Sequence, residues 1–166
     1  MTDSSVPQDA VVIERSFDAP PTLIWQMWTV PEHFKAWYGP DGATVPVAKM
    51  DVRAGGSRLV CLEMDTPGGL RRMWFTGEYR EVAENQRLVY TESMSDESGN
   101  VLSPSEVGMP PGHPATTEVT VELHDLGGRT KMVMTHTGIP ADSPGAVGWT
   151  MAFGKLAAHL QAQGAR

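Results

Sequence analysis

The sequence predicts an α+β fold in which a seven-stranded antiparallel sheet is followed by one long helix. Two patterns lead to this prediction: strand-length runs separated by turn residues fill the stretch from 44 to 137, and a helical apolar stripe lies near the end of the chain. The length of 166 residues suits one domain, because domains contain roughly 100–200 residues. The composition, 40% hydrophobic and 20% charged, is that of a globular protein. We therefore expect a single domain over 11–166.

A strand and two short helices are predicted at the start of the chain. Residues 1–10 are polar and without periodicity, which indicates a flexible tail, and the β-branched run at 11–17 indicates the first strand. After the prolines at 20–21, the apolar residues of the run TLIWQMW recur at three- and four-residue spacing, which predicts a helix. A second short helix, containing Phe34 and Trp37, should end before the turn at 39–42.

The central part of the chain predicts six further strands. They span 44–52, 57–64, 71–81, 87–94, 117–124 and 130–137. Most of the intervening segments are short and rich in Gly, Pro or Asn, so consecutive strands should form hairpins. The exception is 95–114, a long segment rich in Pro, Gly and Ser, of a length that is uncommon inside compact domains unless it is functional or disordered. It is either a lid beside a cavity or a flexible connection or dimer contact.

The last element is predicted to be an amphipathic helix. Asp142 or Ser143 is a candidate N-cap residue, and Pro144 suits the first turn. The apolar stripe then consists of Trp149, Phe153, Leu156 and Leu160, at positions i, i+4, i+7 and i+11. The largest surface on which this stripe can pack is the concave face of the twisted sheet.

Charge and composition exclude several function classes. Thirteen Lys and Arg against twenty Asp and Glu give a net charge of −7, so the protein should repel nucleic acid and anionic lipids. The apolar runs are too short for a membrane span, and the polar beginning of the chain does not resemble a signal peptide, so we expect a cytoplasmic protein. Cys61 is the only cysteine and is interpreted as a small strand residue.

The sequence contains no recognisable catalytic or cofactor motif. Phosphate-binding glycine loops, a nucleophile elbow and closely spaced zinc ligands are all missing, so we expect no cofactor and no metal. His136 shares a predicted strand face with Met132 and Met134, and is either a cavity residue or a structural histidine. Glu63, Glu78 and Glu92 lie in strands, where a buried carboxylic acid could act as a general acid or base, but the solvent side, where glutamates usually lie, is the favoured interpretation.

The aromatic residues are the strongest indication of a site. Tryptophans cluster at 25–37, and further aromatic residues lie at Trp74, Phe75, Tyr79, Tyr90, Trp149 and Phe153. Methionine, whose flexible thioether suits adaptable pockets, is also abundant in these elements. The residues alone leave two alternatives open, a solid core and an incompletely filled cavity.

Apart from the polar N-terminal tail, the chain resembles the Activator of Hsp90 ATPase homologue (AHSA1-like) family of the START-like, or SRPBCC, superfamily. The segments that carry this resemblance are RSFDAPPTLIWQMWTVPEHFKAWYGP at 15–40, DVRAGG at 51–56, FTGEYREVAENQRLVYTE at 75–92, TEVTVELHDLGGRTKMVMTHTGIP at 117–140 and GWTMAFGKLAAHL at 148–160. The resemblance implies a helix-grip fold, in which the sheet wraps around the C-terminal helix and leaves a cavity. It also implies that the cavity is lined by Trp28, Phe34, Trp37, Trp149 and Phe153, with Trp74, Tyr90, Met134 and His136 contributed by the sheet.

Three functions are compatible with these observations. The leading hypothesis is a domain that encloses a small hydrophobic or aromatic molecule. The second is an enzyme of the cyclase, dehydratase or hydrolase type, which would need His136 and a Glu or Tyr within hydrogen-bond reach inside the cavity. The third is a protein-interaction domain, and a homodimer also remains open. The chain is too short for the additional domain of the family's co-chaperone, so chaperone activation is not expected.

Overall fold

The computed structural model describes residues 9–108 and 114–163 and confirms the predicted order of elements. The chain forms β1 (Ala10–Phe17), α1 (Pro21–Thr29), α2 (Pro31–Trp37), β2 (Thr44–Met50), β3 (Ser57–Thr66), β4 (Gly69–Ala83), β5 (Arg87–Ser95), a 3-10 helix (Pro104–Val107), β6 (Thr117–Asp125), β7 (Thr130–Thr137) and α3 (Pro144–Ala162). Ala10 is the first residue of β1, so the predicted tail ends one residue earlier than expected, and its residues 1–8 lie outside the described residues.

The seven strands form one antiparallel sheet in the order β1-β7-β6-β5-β4-β3-β2. Each strand from β2 to β7 pairs with the strand that precedes or follows it, as the short turn segments predicted. Only β1 departs from this order, because it pairs with β7 at the far edge. The α1–α2 segment therefore crosses the width of the sheet from β1 to β2.

One face of the sheet, here called the inner face, packs against all three helices. Along α3 the predicted stripe is confirmed: Trp149, Phe153, Leu156 and Leu160 are all buried. Pro144 occupies the first turn as expected, but the side chain of Ser143, the N-cap residue, accepts no hydrogen bond from the helix. The core of the domain is thus the layer between the inner face and the helices.

The described part of the segment 95–114 lies at the outer face of the sheet. Val101 forms a bridge to Ser95, and Asp96 accepts hydrogen bonds from the backbone of Ser98 and Asn100, which closes a turn. Ser98 and Gly99 line a shallow surface depression together with Leu59 and Thr76, a pair on neighbouring strands. This placement gives no support to a lid over the inner layer. Residues 109–113 of the segment lie outside the described residues.

Candidate functional site

The layer between the sheet and α3 is built mainly from aromatic side chains. Helical spacing brings Trp28 of α1, Phe34 and Trp37 of α2, and Trp149 and Phe153 of α3 onto facing surfaces. The ring centroids of Trp28 and Trp37 are 4.8 Å apart, and Trp28 is 5.9 Å from Trp149. Trp37 also donates a hydrogen bond from Nε1 to the carbonyl of Met27, which fixes α2 on α1. These contacts form one continuous cluster of rings.

This aromatic layer is filled by the protein's own side chains. Phe34, Trp37 and Phe153 have no solvent-accessible surface, so no water-sized space adjoins them. Two open surface depressions lie on the outer side of the sheet, one beside Leu59 and Thr76 and the other beside Thr91 and Glu118. A molecule that binds between the sheet and α3 therefore has to displace aromatic rings.

Most of the residues predicted to line the site lie in this layer. Tyr90, Met134 and His136 are buried on the inner face and join the rings from the helices. The structure thus brings together Trp28, Phe34, Trp37, Tyr90, Met134, His136, Trp149 and Phe153. Whether they contact a ligand stays a prediction.

Trp74 does not belong to this group. It pairs with Cys61, and the next pair along the same face of the two strands is Glu63 with Arg72, which form an exposed ion pair. Its neighbours Met73 and Phe75 pack on the core instead. The prediction that Trp74 lines the inner layer is therefore wrong by one residue, and a shift of one residue moves a strand side chain to the opposite face.

An arginine that was not among the predicted lining residues lies on the inner face. The side chain of Arg58 on β3 is 1% exposed, and its guanidinium carbon lies 3.9 Å from the ring centroid of Tyr90. The rings of Phe34 and Tyr79 are 5.5 and 5.9 Å from the same carbon. Since an arginine keeps its charge at all ordinary pH values, a full positive charge is buried among aromatic rings.

Glu92 is the only carboxylate that faces this charge among the described residues. Its Oε2 atom lies 3.8 Å from Nη1 of Arg58, which is an ion-pair distance but too long for a hydrogen bond. The same oxygen accepts a hydrogen bond of 3.1 Å from the hydroxyl of Tyr38. Glu92 is buried, so its predicted place on the solvent side is wrong.

His136 is held by hydrogen bonds to both ring nitrogens. Trp149 Nε1 can only donate, and it lies 3.0 Å from Nδ1 of His136, so Nδ1 is the acceptor. The proton of the neutral ring is then on Nε2, which lies 2.8 Å from Oγ1 of Thr117. Burial lowers the pKa of His136, with Glu92 opposing the effect, and this favours the neutral ring. Nε2 lies 3.8 Å from Oε1 of Glu92, which is too far for a hydrogen bond. The histidine is linked to β5 through Thr117 instead, whose hydroxyl donates to the backbone carbonyl of Glu92.

Several buried donors in this layer have no hydrogen-bond partner. They are Trp28 Nε1, Arg58 Nε, Arg58 Nη1, the Tyr79 hydroxyl and the Tyr90 hydroxyl. Burial raises the pKa of both tyrosines, so both hydroxyls keep their protons. An unsatisfied buried polar group costs roughly 1–3 kcal/mol, and more when the group is charged. Arginine and indole nitrogens can only donate, so the site contains buried donors that no acceptor satisfies.

Sequence reasoning missed Arg58, Tyr38 and Glu92 as members of the site. Strand alternation could have found two of them: Arg58 shares a face with Val60 and Leu62, and Glu92 is two residues from Tyr90, which was predicted to face inwards. The general tendency of charged residues to be exposed pointed the other way. Tyr38 follows α2 directly and carries no comparable signal in the sequence.

Two kinds of site are not found in the described part of the chain. Residues 9–108 and 114–163 contain no group of three or more His, Cys, Asp or Glu side chains placed to hold a metal ion. Among the same residues, no helix has both the length and the apolar character needed to cross a membrane.

Comparisons with known proteins identify the relatives of this chain. The family model for Activator of Hsp90 ATPase homolog 1-like protein matches residues 18–161. Protein CV1439 from Chromobacterium violaceum has a similar structure, with a TM-score of 0.74 and 23% identity over 92% of this chain and 97% of its own. The AHSA1 protein SPO3351 from Silicibacter pomeroyi gives a TM-score of 0.69 and 19% identity over 93% of this chain and 99% of its own. No curated protein sequence matches the chain.

Proposed function

This chain belongs to the family of Activator of Hsp90 ATPase homolog 1-like proteins, and from that membership we propose that it binds a small hydrophobic or aromatic molecule between the sheet and α3. The fold is the helix-grip fold of a family of ligand-binding domains. In this fold the layer between the sheet and the C-terminal helix is the interior space in which a ligand can be enclosed.

The observation that carries the proposal is the group of unpartnered donors within the aromatic layer. A domain whose interior served only for stability would gain nothing from burying the charge of Arg58 and the hydroxyls of Tyr79 and Tyr90 without partners. A ligand that contributes acceptors and aromatic surface would compensate this cost. Flat aromatic ligands can replace displaced rings with similar contacts, because stacked and edge-on arrangements are both favourable.

An enzyme that moves protons is the second candidate, and one observation favours it. The carboxylate of Glu92 accepts a hydrogen bond from Tyr38 next to the charge of Arg58, which is a plausible arrangement for a general base. His136 argues against this function, because both of its nitrogens are occupied by Trp149 and Thr117. Its Nε2 atom also lies beyond hydrogen-bond distance of Glu92. We therefore favour binding without turnover.

The proposal can be tested with the purified protein. Native mass spectrometry followed by denaturing extraction would reveal a retained small molecule, and a thermal-shift screen of lipids, hormones and aromatic polyketides would reveal added ones. A binding compound should raise Tm, since a ligand of the folded state stabilises that state.

Two variants distinguish the inner layer from the rest of the sheet. Trp28→Phe removes ring surface from the layer without breaking a hydrogen bond, because Nε1 of Trp28 has no partner. Trp74→Phe makes the same change on the outer face. We expect Trp28→Phe to weaken binding about threefold or more, and Trp74→Phe to bind like the wild type. Equal effects of the two variants, or a protein that binds none of the compounds, would contradict the proposal.

A further inference from the structure

We propose that Arg58 anchors the ligand by donating hydrogen bonds to an oxygen acceptor carried by a flat aromatic ring system. The inference rests on the proposed function and adds a chemical class to it: an oxygenated aromatic molecule whose carbonyl or anionic oxygen meets the guanidinium group. Its basis is the arrangement of donors, acceptors and rings around Arg58.

Donors exceed acceptors around the guanidinium group. Nε and Nη1 of Arg58 are both unpartnered, and the nearest carboxylate oxygen, on Glu92, is 3.8 Å from Nη1 and already accepts from Tyr38. The hydroxyls of Tyr79 and Tyr90, which can both donate and accept, also make no hydrogen bond of ordinary geometry, although the charge of Arg58 opposes the burial that raises the pKa of both and acts to lower it. A ligand donor could satisfy only the tyrosine hydroxyls, whereas an acceptor oxygen would satisfy at least one charged donor of Arg58, which is the costlier kind of group to leave unpaired. Hydrogen bonds in which one group is charged are stronger than those between neutral groups.

The rings around Arg58 favour a flat ligand. The guanidinium carbon lies over the ring of Tyr90, 3.9 Å from its centroid, and the rings of Phe34 and Tyr79 lie farther away. A planar guanidinium stacked on a ring keeps the hydrogens at its edge available for acceptors. An aromatic ligand in the same layer can therefore contact the rings with its faces while its oxygen meets this edge.

The nearby carboxylate affects which acceptor is preferred. Glu92 offsets part of the positive charge of Arg58 and lies close enough to repel a second negative group. We therefore expect a neutral carbonyl oxygen to bind better than a carboxylate, although both share the acceptor chemistry that the anchor recognises.

The experiment compares three compounds with the same naphthalene ring system by equilibrium dialysis against the full-length protein. 2-Acetylnaphthalene carries a neutral acceptor, 2-naphthoate carries an anionic one, and 2-ethylnaphthalene has the shape of the first but no acceptor. The wild type should bind 2-acetylnaphthalene at least tenfold more tightly than 2-ethylnaphthalene, with 2-naphthoate between them. If 2-naphthoate binds most tightly of the three, Arg58 is still the anchor, but its preferred ligands are anions rather than neutral carbonyl compounds.

Arginine-to-methionine variants provide the matched test. Arg58→Met keeps a long side chain without charge or donors, and it should reduce the ratio of the two neutral affinities to about one, because the lost contact to the charged donor is the source of the preference. Arg72→Met removes an exposed arginine of the outer face and should keep the wild-type ratio. Circular dichroism establishes that each variant is folded. If Arg58→Met does not fold, Arg58→Lys replaces it, because lysine keeps the charge but not the planar donor edge, and it should also bring the ratio below the wild-type value.

The outcomes separate the anchor from the proposed function. If the wild type binds both neutral compounds equally, the assignment of Arg58 is wrong while ligand binding stands. If a wild-type preference persists unchanged in Arg58→Met, the anchor is another group and the assignment is again wrong. If the wild type binds none of the three compounds, both the anchor and the proposed function are contradicted.

Discussion

Gly77 lies on β4 between Arg58 of β3 and the strand that carries Glu92, and its missing side chain lets these strands approach closely. A Cβ atom at this position would lie 1.8 Å from the carbonyl oxygen of Thr91 and 3.5 Å from Cγ of Arg58. Arg58 is the direct pairing partner of Gly77, so its side chain runs over a position that is free of side-chain atoms. The burial of the charge therefore depends on a glycine in the neighbouring strand.

We expect Gly77→Ala to destabilise the fold by about 1–3 kcal/mol, because the added methyl group forces β4 and β5 apart. Urea denaturation followed by circular dichroism measures this loss. Gly68→Ala is the matched control: it lies in the β3–β4 turn, and its nearest contact would be 3.9 Å away, at Oγ1 of Thr66. Equal stability of the two variants would show that the strands accommodate the methyl group.

Trp149 fixes the protonation pattern of His136, and a second substitution tests this role. Trp149→Phe removes the donor to Nδ1 and leaves a buried acceptor without a partner, which should cost about 1–3 kcal/mol beyond the lost ring surface. Trp28→Phe makes the same change in the same layer where no hydrogen bond is lost. Trp28→Phe should therefore have a higher unfolding free energy than Trp149→Phe. Equal unfolding free energies would contradict the assigned hydrogen bond.

At the scale of elements, α3 combines a stripe of large buried residues with glycines in its interior. Gly148 precedes Trp149 and Gly154 follows Phe153, and a Cβ atom at either glycine would meet nothing within 4 Å. Packing therefore does not require these two glycines. Each lowers the helix stability of α3 by roughly 1 kcal/mol relative to alanine. They flank the two rings that a ligand between the sheet and α3 would have to displace.

We expect Gly154→Ala to raise the unfolding free energy by about 0.5–1 kcal/mol, since alanine favours the helix and has space here. Gly145→Ala is the contrasting variant, because its Cβ atom would lie 2.9 Å from Cδ1 of Ile139. Gly145→Ala should therefore gain less stability than Gly154→Ala, or lose stability. Thermal and urea denaturation of both variants give the comparison, and a loss of stability in Gly154→Ala would mean that α3 needs the glycine for a contact not present in the free protein.

At the scale of the whole molecule, periodicity was sufficient to predict the fold but not the polar centre of the site. The strands and helices have repeats of two and about 3.6 residues, which the apolar residues reveal directly, and the resemblance to a known family supplied the same sheet and terminal helix. Arg58 and Glu92 were not predicted as members of the site because charged residues are usually exposed, whereas these two are buried. Only the pairing of β3, β4 and β5 brings them together. Trp74 was misplaced because neighbouring aromatic residues at 74 and 75 leave the inward position ambiguous in the sequence.

The pH dependence of stability also belongs to the whole molecule, because it sums the effects of histidines on different elements, His136 on β7 and His159 on α3. Burial lowers the pKa of His136, and burial together with the neighbouring His33 lowers the pKa of His159. Nδ1 of His33 and Nε2 of His159 are 3.1 Å apart across the α2–α3 contact. Below the ordinary histidine pKa of about 6.5, the unfolded chain binds more protons at these positions than the folded protein does. Unfolding then becomes more favourable as the pH falls.

We therefore expect the unfolding free energy to be largest above pH 7 and to decrease as the pH falls from 7.5 to 5.5. Asp96 and Glu106 have lowered pKa values, so they titrate well below this window. His159→Gln keeps a polar group at the contact with α2 but does not titrate, so the decrease should be smaller in this variant. His124→Gln, which changes an exposed histidine on β6, should retain the wild-type decrease. Urea denaturation at pH 7.5 and pH 5.5 measures the difference in unfolding free energy. A wild-type protein that is equally stable at both pH values would contradict the lowered histidine pKa values. A histidine that stays neutral only in the folded state must make stability depend on pH.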